Sequence, residues 1–259
     1  MSPPRSWFRQ GPMRPVIEVG KVIKLSHPQP SKWRICEVLH EYDLQRHENA
    51  PRPSYTSILL SGYEIGGSRR PSMMRVVVQI PSIETQLENS TVRAKEATSL
   101  RTSGFRAFLT FTKEGSTFTP PLLGYLEDGQ DRSGLVPGGY ITYYAWEVVP
   151  GIRLGDDTGK ASLFWTLDEK EREEIRDAFR DTFVKITSMR VWPDTAGAPN
   201  LVWNSKTKTL TWVGFRDCDV NAKPSPWKDL ALPLFDLVKA PNNLWLYPDW
   251  NGETSEWKY

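Results

Sequence analysis

Cysteine and histidine are scarce in this chain of 259 residues: two cysteines, Cys36 and Cys218, and three histidines, His27, His40 and His47. Two cysteines cannot build a disulfide framework, so a reducing compartment is expected. The histidines and cysteines share no zinc-ligand spacing, and neither metal nor cofactor is expected. No apolar run approaches the roughly 20 residues that cross a bilayer. The opening Met1-Ser-Pro-Pro-Arg-Ser-Trp7 lacks the apolar core of a secretory signal. A cytoplasmic protein with no membrane partner is therefore expected. With 39% hydrophobic and 25% charged residues, the composition is that of an ordinary globular protein.

Neither charge sign dominates, since the net charge is +2. The distribution is uneven, however. Before Ile35, Arg5, Arg9, Arg14, Lys21, Lys24, Lys32 and Arg34 face a single acid, Glu18, with Trp7, Phe8 and Trp33 interleaved. Arg69, Arg70 and Arg75 follow. Basic side chains attract polyanions and aromatic faces stack on bases. Arg5, Arg9, Arg14, Lys21, Lys24, Arg69 and Arg70 are thus candidate nucleic-acid contacts, against the alternative of a solvated arm.

Local patterning divides the chain in three. Residues 1–30 read as a basic, irregular arm. Residues 31–149 read as a β-rich lobe with one helix. Its strands start near Trp33, Tyr55, Met74, Pro120 and Gly139, and its helix runs from Ser90 to about Thr112, broken near Gly104. Residues 150–259 read as a helical lobe. Thr166-Leu-Asp-Glu169 fits a capping box, and Ile175, Phe179, Phe183 and Ile186 then form one apolar stripe. Leu201-Val-Trp203 and Leu210-Thr-Trp-Val213 flank a hairpin turn. Trp227–Lys239 reads as a last apolar helix bent or begun at Pro233, followed by a tail rich in Trp and Tyr.

Five segments in this order carry a resemblance: Pro137-Gly-Gly-Tyr-Ile-Thr-Tyr143, Glu147-Val-Val-Pro-Gly-Ile-Arg-Leu154, Phe164-Trp-Thr-Leu167, Glu171 to Phe183, and Asn200-Leu-Val-Trp-Asn204. Together they resemble small fungal kinase-like proteins related to aminoglycoside phosphotransferases, over roughly residues 74–220. The resemblance implies an α+β, bilobal, protein-kinase-like fold with a β-rich N-lobe and a small helical C-lobe. It implies that Gln79 stands where the phosphate-binding lysine would be, that Glu96 is that lysine's helix partner, and that Asp194 is the base. Asn200 is then a metal ligand, Gly214 occupies the position of the main metal-binding aspartate, and Asp217 is a nearby substitute. Phosphoryl transfer needs these groups in fixed places, and magnesium needs carboxylate oxygens. With the lysine, the aspartate and the phosphate loop missing, loss of Mg-ATP chemistry is expected.

Two classes of function follow: an enzyme that reuses the cleft, and a pseudokinase scaffold. A surviving atypical phosphotransferase is the third expectation. For the enzyme, the basic arm suggests an activated substrate on a polyanionic carrier such as aminoacyl-tRNA, as in the arginine-containing cyclodipeptide synthases of fungi. Catalysis would then fall to Asp194, Asp217 and Glu96. Gln79, Glu147, Trp146 and Asn200 would line the pocket for a small-molecule or amino-acid substrate, acids pairing with a guanidinium. Cys218, flanked by Asp217 and Asp219, is expected to be structural, and Cys36 to lie in a strand core.

Overall fold

A computed structural model describes residues 6–9, 17–66, 69–156, 158–194, 197–224, 226–247 and 249–259. The chain divides into two compact units, one running to Arg101 and including Leu122–Val148, the other made of Thr102–Pro121 and Val149–Tyr259.

The first unit is a six-stranded antiparallel sheet: β1 (Val22–Leu25), β2 (Ser31–Leu44), β3 (Tyr55–Glu64), β4 (Pro71–Gln79), β5 (Leu122–Gly129) and β6 (Tyr140–Glu147), in the order β1-β2-β3-β4-β6-β5. Its two ends meet. The Ser26 and His27 amides donate to the Tyr125 carbonyl at 3.1 and 3.0 Å, and the Tyr125 amide donates to the His27 carbonyl at 2.9 Å. The His27 ring stacks on Tyr125 with centroids 4.7 Å apart. Register shifts between Ile35 and Glu37 and between Val38 and His40 bend β2, and bulges of this kind increase the twist that curls a sheet. Strand alternation fills the interior with Ile23, Leu25, Trp33, Ile35, Ile58, Leu60, Met74, Val76, Val78, Tyr143 and Ala145. Trp7 and Phe8 join this core. Their amides donate to Glu41 Oε1 at 2.8 and 3.4 Å, and the Ser6 hydroxyl donates to Oε2.

The second unit combines helix α1 (Ser103–Lys113), helix α2 (Glu169–Ser188) and two small sheets. One sheet joins β7 (Ile152–Arg153), β9 (Leu201–Asn204) and β10 (Thr209–Trp212); the other pairs β8 (Trp192–Pro193) with β11 (Cys218–Asp219). The expected stripe of α2 is buried: Ile175, Phe179, Phe183 and Ile186 are at most 3% exposed. The β9–β10 hairpin is tied to α2 by two indoles. Trp212 Nε1 donates to Thr182 Oγ1 at 2.8 Å and Trp203 Nε1 to Glu171 Oε1 at 2.9 Å.

The expected bilobal kinase-like fold does not form. The chain is mostly β, with 29% strand against 22% helix, and a nearly closed, barrel-like sheet replaces the expected N-lobe. The second unit is not a helical lobe, since two sheets accompany its helices. The difference starts at β1. Val22-Ile-Lys-Leu25 falls within the expected irregular arm, yet it alternates exposed and buried, pairs with β2, and carries the chain to the closing contact with β5. Smaller expectations also change. The α2 N-cap is Asp168, whose carboxylate accepts the Glu171 amide at 2.8 Å, while the Thr166 hydroxyl turns back to the Leu163 carbonyl. The expected Trp227–Lys239 helix shrinks to a turn at Ala231–Leu234. Cys36 is exposed rather than in a strand core.

A polar strap ties two loops of the first unit. His47 Nδ1 lies 2.6 Å from Glu84 Oε1, and the Glu48 amide donates to Oε2 at 2.9 Å. The His47 contact, followed by backbone amides, lowers the Glu84 carboxyl from 4.5 to about 2. A depressed carboxylate contributes stability above its unfolded pKa and loses it as pH falls. The strap's contribution should therefore fade between pH 4.5 and about 2. In melting curves taken across that window, His47→Gln should flatten the dependence on pH. An unchanged slope would mean that the strap contributes nothing.

Candidate functional site

Gln79 ends β4 on its outward face and is 1% exposed. A buried amide must satisfy both donor and acceptor, and here the partners lie in the segment that follows β4. Gln79 Nε2 donates to the Glu96 carbonyl at 2.7 Å, and Oε1 accepts the Thr98 amide at 3.0 Å. A second buried amide, Gln130, donates from Nε2 to the Gln79 carbonyl at 2.8 Å and accepts the Val136 amide on Oε1 at 2.9 Å. Gly139 fits beside them because a Cβ there would sit 2.6 Å from Gln79 Oε1. Glu96 anchors the same segment: its carboxylate accepts the Ser82 amide and hydroxyl, each at 2.9 Å, and the Thr85 hydroxyl. Gln79 and Glu96 are thus brought together as scaffold.

That scaffold frames a cavity of about 370 Å³ in the first unit. Thr98, Glu127, Asp128, Gly138, Tyr140 and Thr142 are among its walls. The register places Glu127 opposite Thr142, and Gly129 opposite Tyr140, across β5 and β6. Glu127 is held by the Arg101 fork, Nε to Oε1 at 2.7 Å and Nη2 to Oε2 at 2.6 Å. Asp128 is exposed and has no ion pair among the described residues. Tyr140 is 6% exposed, and its hydroxyl is buried without a hydrogen-bond partner among the described residues. Burial pushes this phenol above the ordinary tyrosine range, so at neutral pH it is a neutral hydroxyl. A buried hydroxyl left unpaired costs about 1–3 kcal/mol.

The other expected site residues are distributed as follows. Trp146 is buried on β6, stacked on Tyr144 with centroids 5.6 Å apart and with the Arg75 guanidinium 6.0 Å from its ring. Glu147 ends β6, 3.7 Å from Arg70. Asp194, Asp217 and Asn200 belong to the second unit. Cys218 pairs with Pro193, so Asp217 and Asp194 flank the end of the β8–β11 pair. Arg216 Nε donates to Asp217 Oδ2 at 3.0 Å. Cys218 is buried, and burial first, then Asp194, Asp217 and Asp219, push its thiol to about 12. It is therefore no nucleophile at neutral pH. A side chain at Gly214 would clash with Asn200, its Cβ lying 1.8 Å from Asn200 Oδ1 and 2.8 Å from Asn200 Cβ. Among the described residues, no group of three or more His, Cys, Asp or Glu is arranged to hold a metal ion.

Of the basic candidates, Arg9, Lys21, Lys24, Arg69 and Arg70 are exposed, while Arg5 and Arg14 lie outside the described residues. Trp7, Phe8 and Trp33 are core residues, at most 5% exposed, and present no ring for stacking. Among the described residues no helix is long and apolar enough to cross a membrane.

Sequence reasoning missed Tyr140, Glu127 and Asp128. Gly138-Gly-Tyr140 reads as a turn entering a strand, and no local pattern marks a hydroxyl that folding will leave unpaired. No family model matches the chain, and no curated protein matches it significantly.

Proposed function

We propose that the chain binds a small polar molecule bearing an amine or guanidinium in the cavity beside Tyr140. The observation that carries this reading is a cavity whose walls include Glu127, Asp128 and Tyr140, the last with a buried hydroxyl that has no hydrogen-bond partner among the described residues. Small-molecule sites are concave, with a few convergent polar groups that orient the ligand. Asp128 supplies a charge for a ligand cation, and charge-assisted hydrogen bonds are the stronger kind. The two glutamines preorganise the walls, which lowers the cost of ordering on binding. With the kinase-like architecture absent, the scaffold and phosphotransferase expectations lose the fold on which they rested. The aminoacyl-transfer expectation loses the same fold, and its acids, Glu96, Glu147, Asp194 and Asp217, are not among the cavity walls; binding of a cation is what the cavity supports.

Tyr140→Phe separates a ligand-binding hydroxyl from a merely buried one. Removing an unpaired polar atom should raise the melting temperature of the free protein. It should also weaken binding of arginine, agmatine or spermidine by about 3- to 10-fold, the contribution of one hydrogen bond. A thermal melt of the free protein reads the first effect, and calorimetric titration with these three cations, and with glycerol as a neutral control, reads the second. Absence of binding by all three cations at millimolar concentration, or equal affinity in wild type and variant, would overturn the reading.

A further inference from the structure

Cations line the outward face of β1 and β2, beside Tyr63 of β3. Lys24 on β1 is directly across from Lys32 on β2, and Val22 from Arg34. Arg34 is in turn across from Tyr63 on β3. Alternation sends the intervening Ile23, Leu25, Trp33 and Ile35 into the core, at most 5% exposed, and leaves Lys24, Lys32 and Arg34 exposed. Lys21 and Arg69 are exposed as well, and the Arg69 guanidinium carbon lies 5.8 Å from the centroid of the half-buried Tyr63 ring. Among the described residues none of Lys21, Lys24, Lys32 and Arg34 forms an ion pair.

Like charges directly opposite each other weaken an antiparallel pair. The Lys24–Lys32 rung therefore works against the sheet that carries it, and packing does not call for it, because both side chains point away from the core. A polyanion would turn that repulsion into attraction. An aromatic ring flanked by arginines distinguishes this face from a purely charged one, since bases stack on such rings and phosphates pair with the cations around them.

We propose that this face binds single-stranded nucleic acid, with phosphates on Lys24, Lys32 and Arg34 and a base against Tyr63. The site is on the sheet rather than on an extended arm, and it is independent of the cavity beside Tyr140. Sequence patterning pointed to Lys21, Lys24 and Arg69 but not to Lys32, Arg34 or Tyr63 as one surface, because their grouping depends on the β1–β2–β3 register.

The test is fluorescence anisotropy of the full chain with a labelled 12-nucleotide oligouridine, between 50 and 200 mM salt. Three phosphate contacts predict a slope of log affinity against log salt of about −2, at about −0.7 for each contact on a single strand. Lys24→Gln combined with Lys32→Gln should flatten that slope to about −0.7 and leave the melting temperature unchanged or higher. If those substitutions lower the melting temperature, Lys24→Arg with Lys32→Arg should retain full binding and the full slope. Tyr63→Ala should weaken binding about tenfold at every salt concentration without changing the slope. The proposal is overturned by no binding at 50 mM salt, or by binding that both sets of substitutions leave intact. Retention on phosphatidylserine vesicles without RNA binding would also overturn it, making the face a membrane contact.

Discussion

Phe179→Ala should lower the unfolding free energy of the second unit by about 3–5 kcal/mol, as for other large aromatic truncations in close-packed cores. Phe179 is fully buried and is the hub of an aromatic cluster drawn from separate segments. Its ring lies 5.7 Å from Phe183 on the same helix, 5.1 Å from Trp212 on β10, 6.0 Å from Trp227 and 4.9 Å from Phe235. Rings in such geometries contribute about 0.5–1.5 kcal/mol beyond the area they bury. Neighbours supplied by α2, by a hairpin and by two loop segments cannot all collapse into the space that alanine leaves. The cavity term should therefore add in full to the transfer term. Urea unfolding followed by tryptophan fluorescence reports on this cluster directly, since Trp212 and Trp227 touch the deleted ring. Ile175→Val on the same buried stripe is the control, with an expected loss of about 0.5–1.5 kcal/mol. A loss for Phe179→Ala no larger than that of the control would mean that the cluster repacks freely and is not the anchor of the unit.

The elements that could be read from sequence are those whose signal is local. The α2 stripe at Ile175, Phe179, Phe183 and Ile186 repeats at helical spacing and buries as expected. The β-branched run Val76-Val-Val78 forms β4, buried on both faces, and Leu201–Asn204 with Thr209–Trp212 forms the expected hairpin. Pairing over long distances was not legible. Barrel closure depends on His27 meeting Tyr125, and the burial of Trp7 and Phe8 depends on Glu41 accepting their amides. None of these residues announces its partner locally. Competition between local signals accounts for other differences. Thr166 and Asp168 both suit an N-cap, and the carboxylate two residues closer to the stripe takes the role. At the candidate site, the resemblance set Glu96 toward a lysine that Gln79 replaces and so left it without a partner, whereas in the fold Gln79 holds the Glu96 backbone. A neutral glutamine in a strand cannot be told apart from a failed lysine until its amide is seen holding the Thr98 and Glu96 backbones.

Gly214→Ala should destabilise the second unit by at least about 1–3 kcal/mol, the usual cost of overpacking, and Asn200→Ala should partly rescue it. A Cβ at residue 214 would lie 1.8 Å from Asn200 Oδ1, 2.2 Å from Cγ and 2.8 Å from Cβ. The first two atoms can swing away or be deleted, but the third cannot, because the backbone at Asn200 is fixed. Its carbonyl accepts the Val213 amide at 2.8 Å, locking the two segments together next to the hairpin. The double variant should therefore recover only the part of the clash due to Oδ1 and Cγ. The coupling energy should favour the pair of substitutions by about 0.5–3 kcal/mol, within the range found for residues in contact. A complete thermodynamic cycle by urea unfolding isolates that coupling from the cost of removing Asn200's own contacts. Strict additivity would mean that the two segments separate easily and that the glycine is there for another reason. Coupling of the expected sign would establish that residue 214 is a glycine because the Asn200 side chain occupies the space a side chain would need. On that basis the missing carboxylate is a consequence of local packing in this fold, and a larger Asp at 214 would disrupt the hairpin base before it could reach any ion.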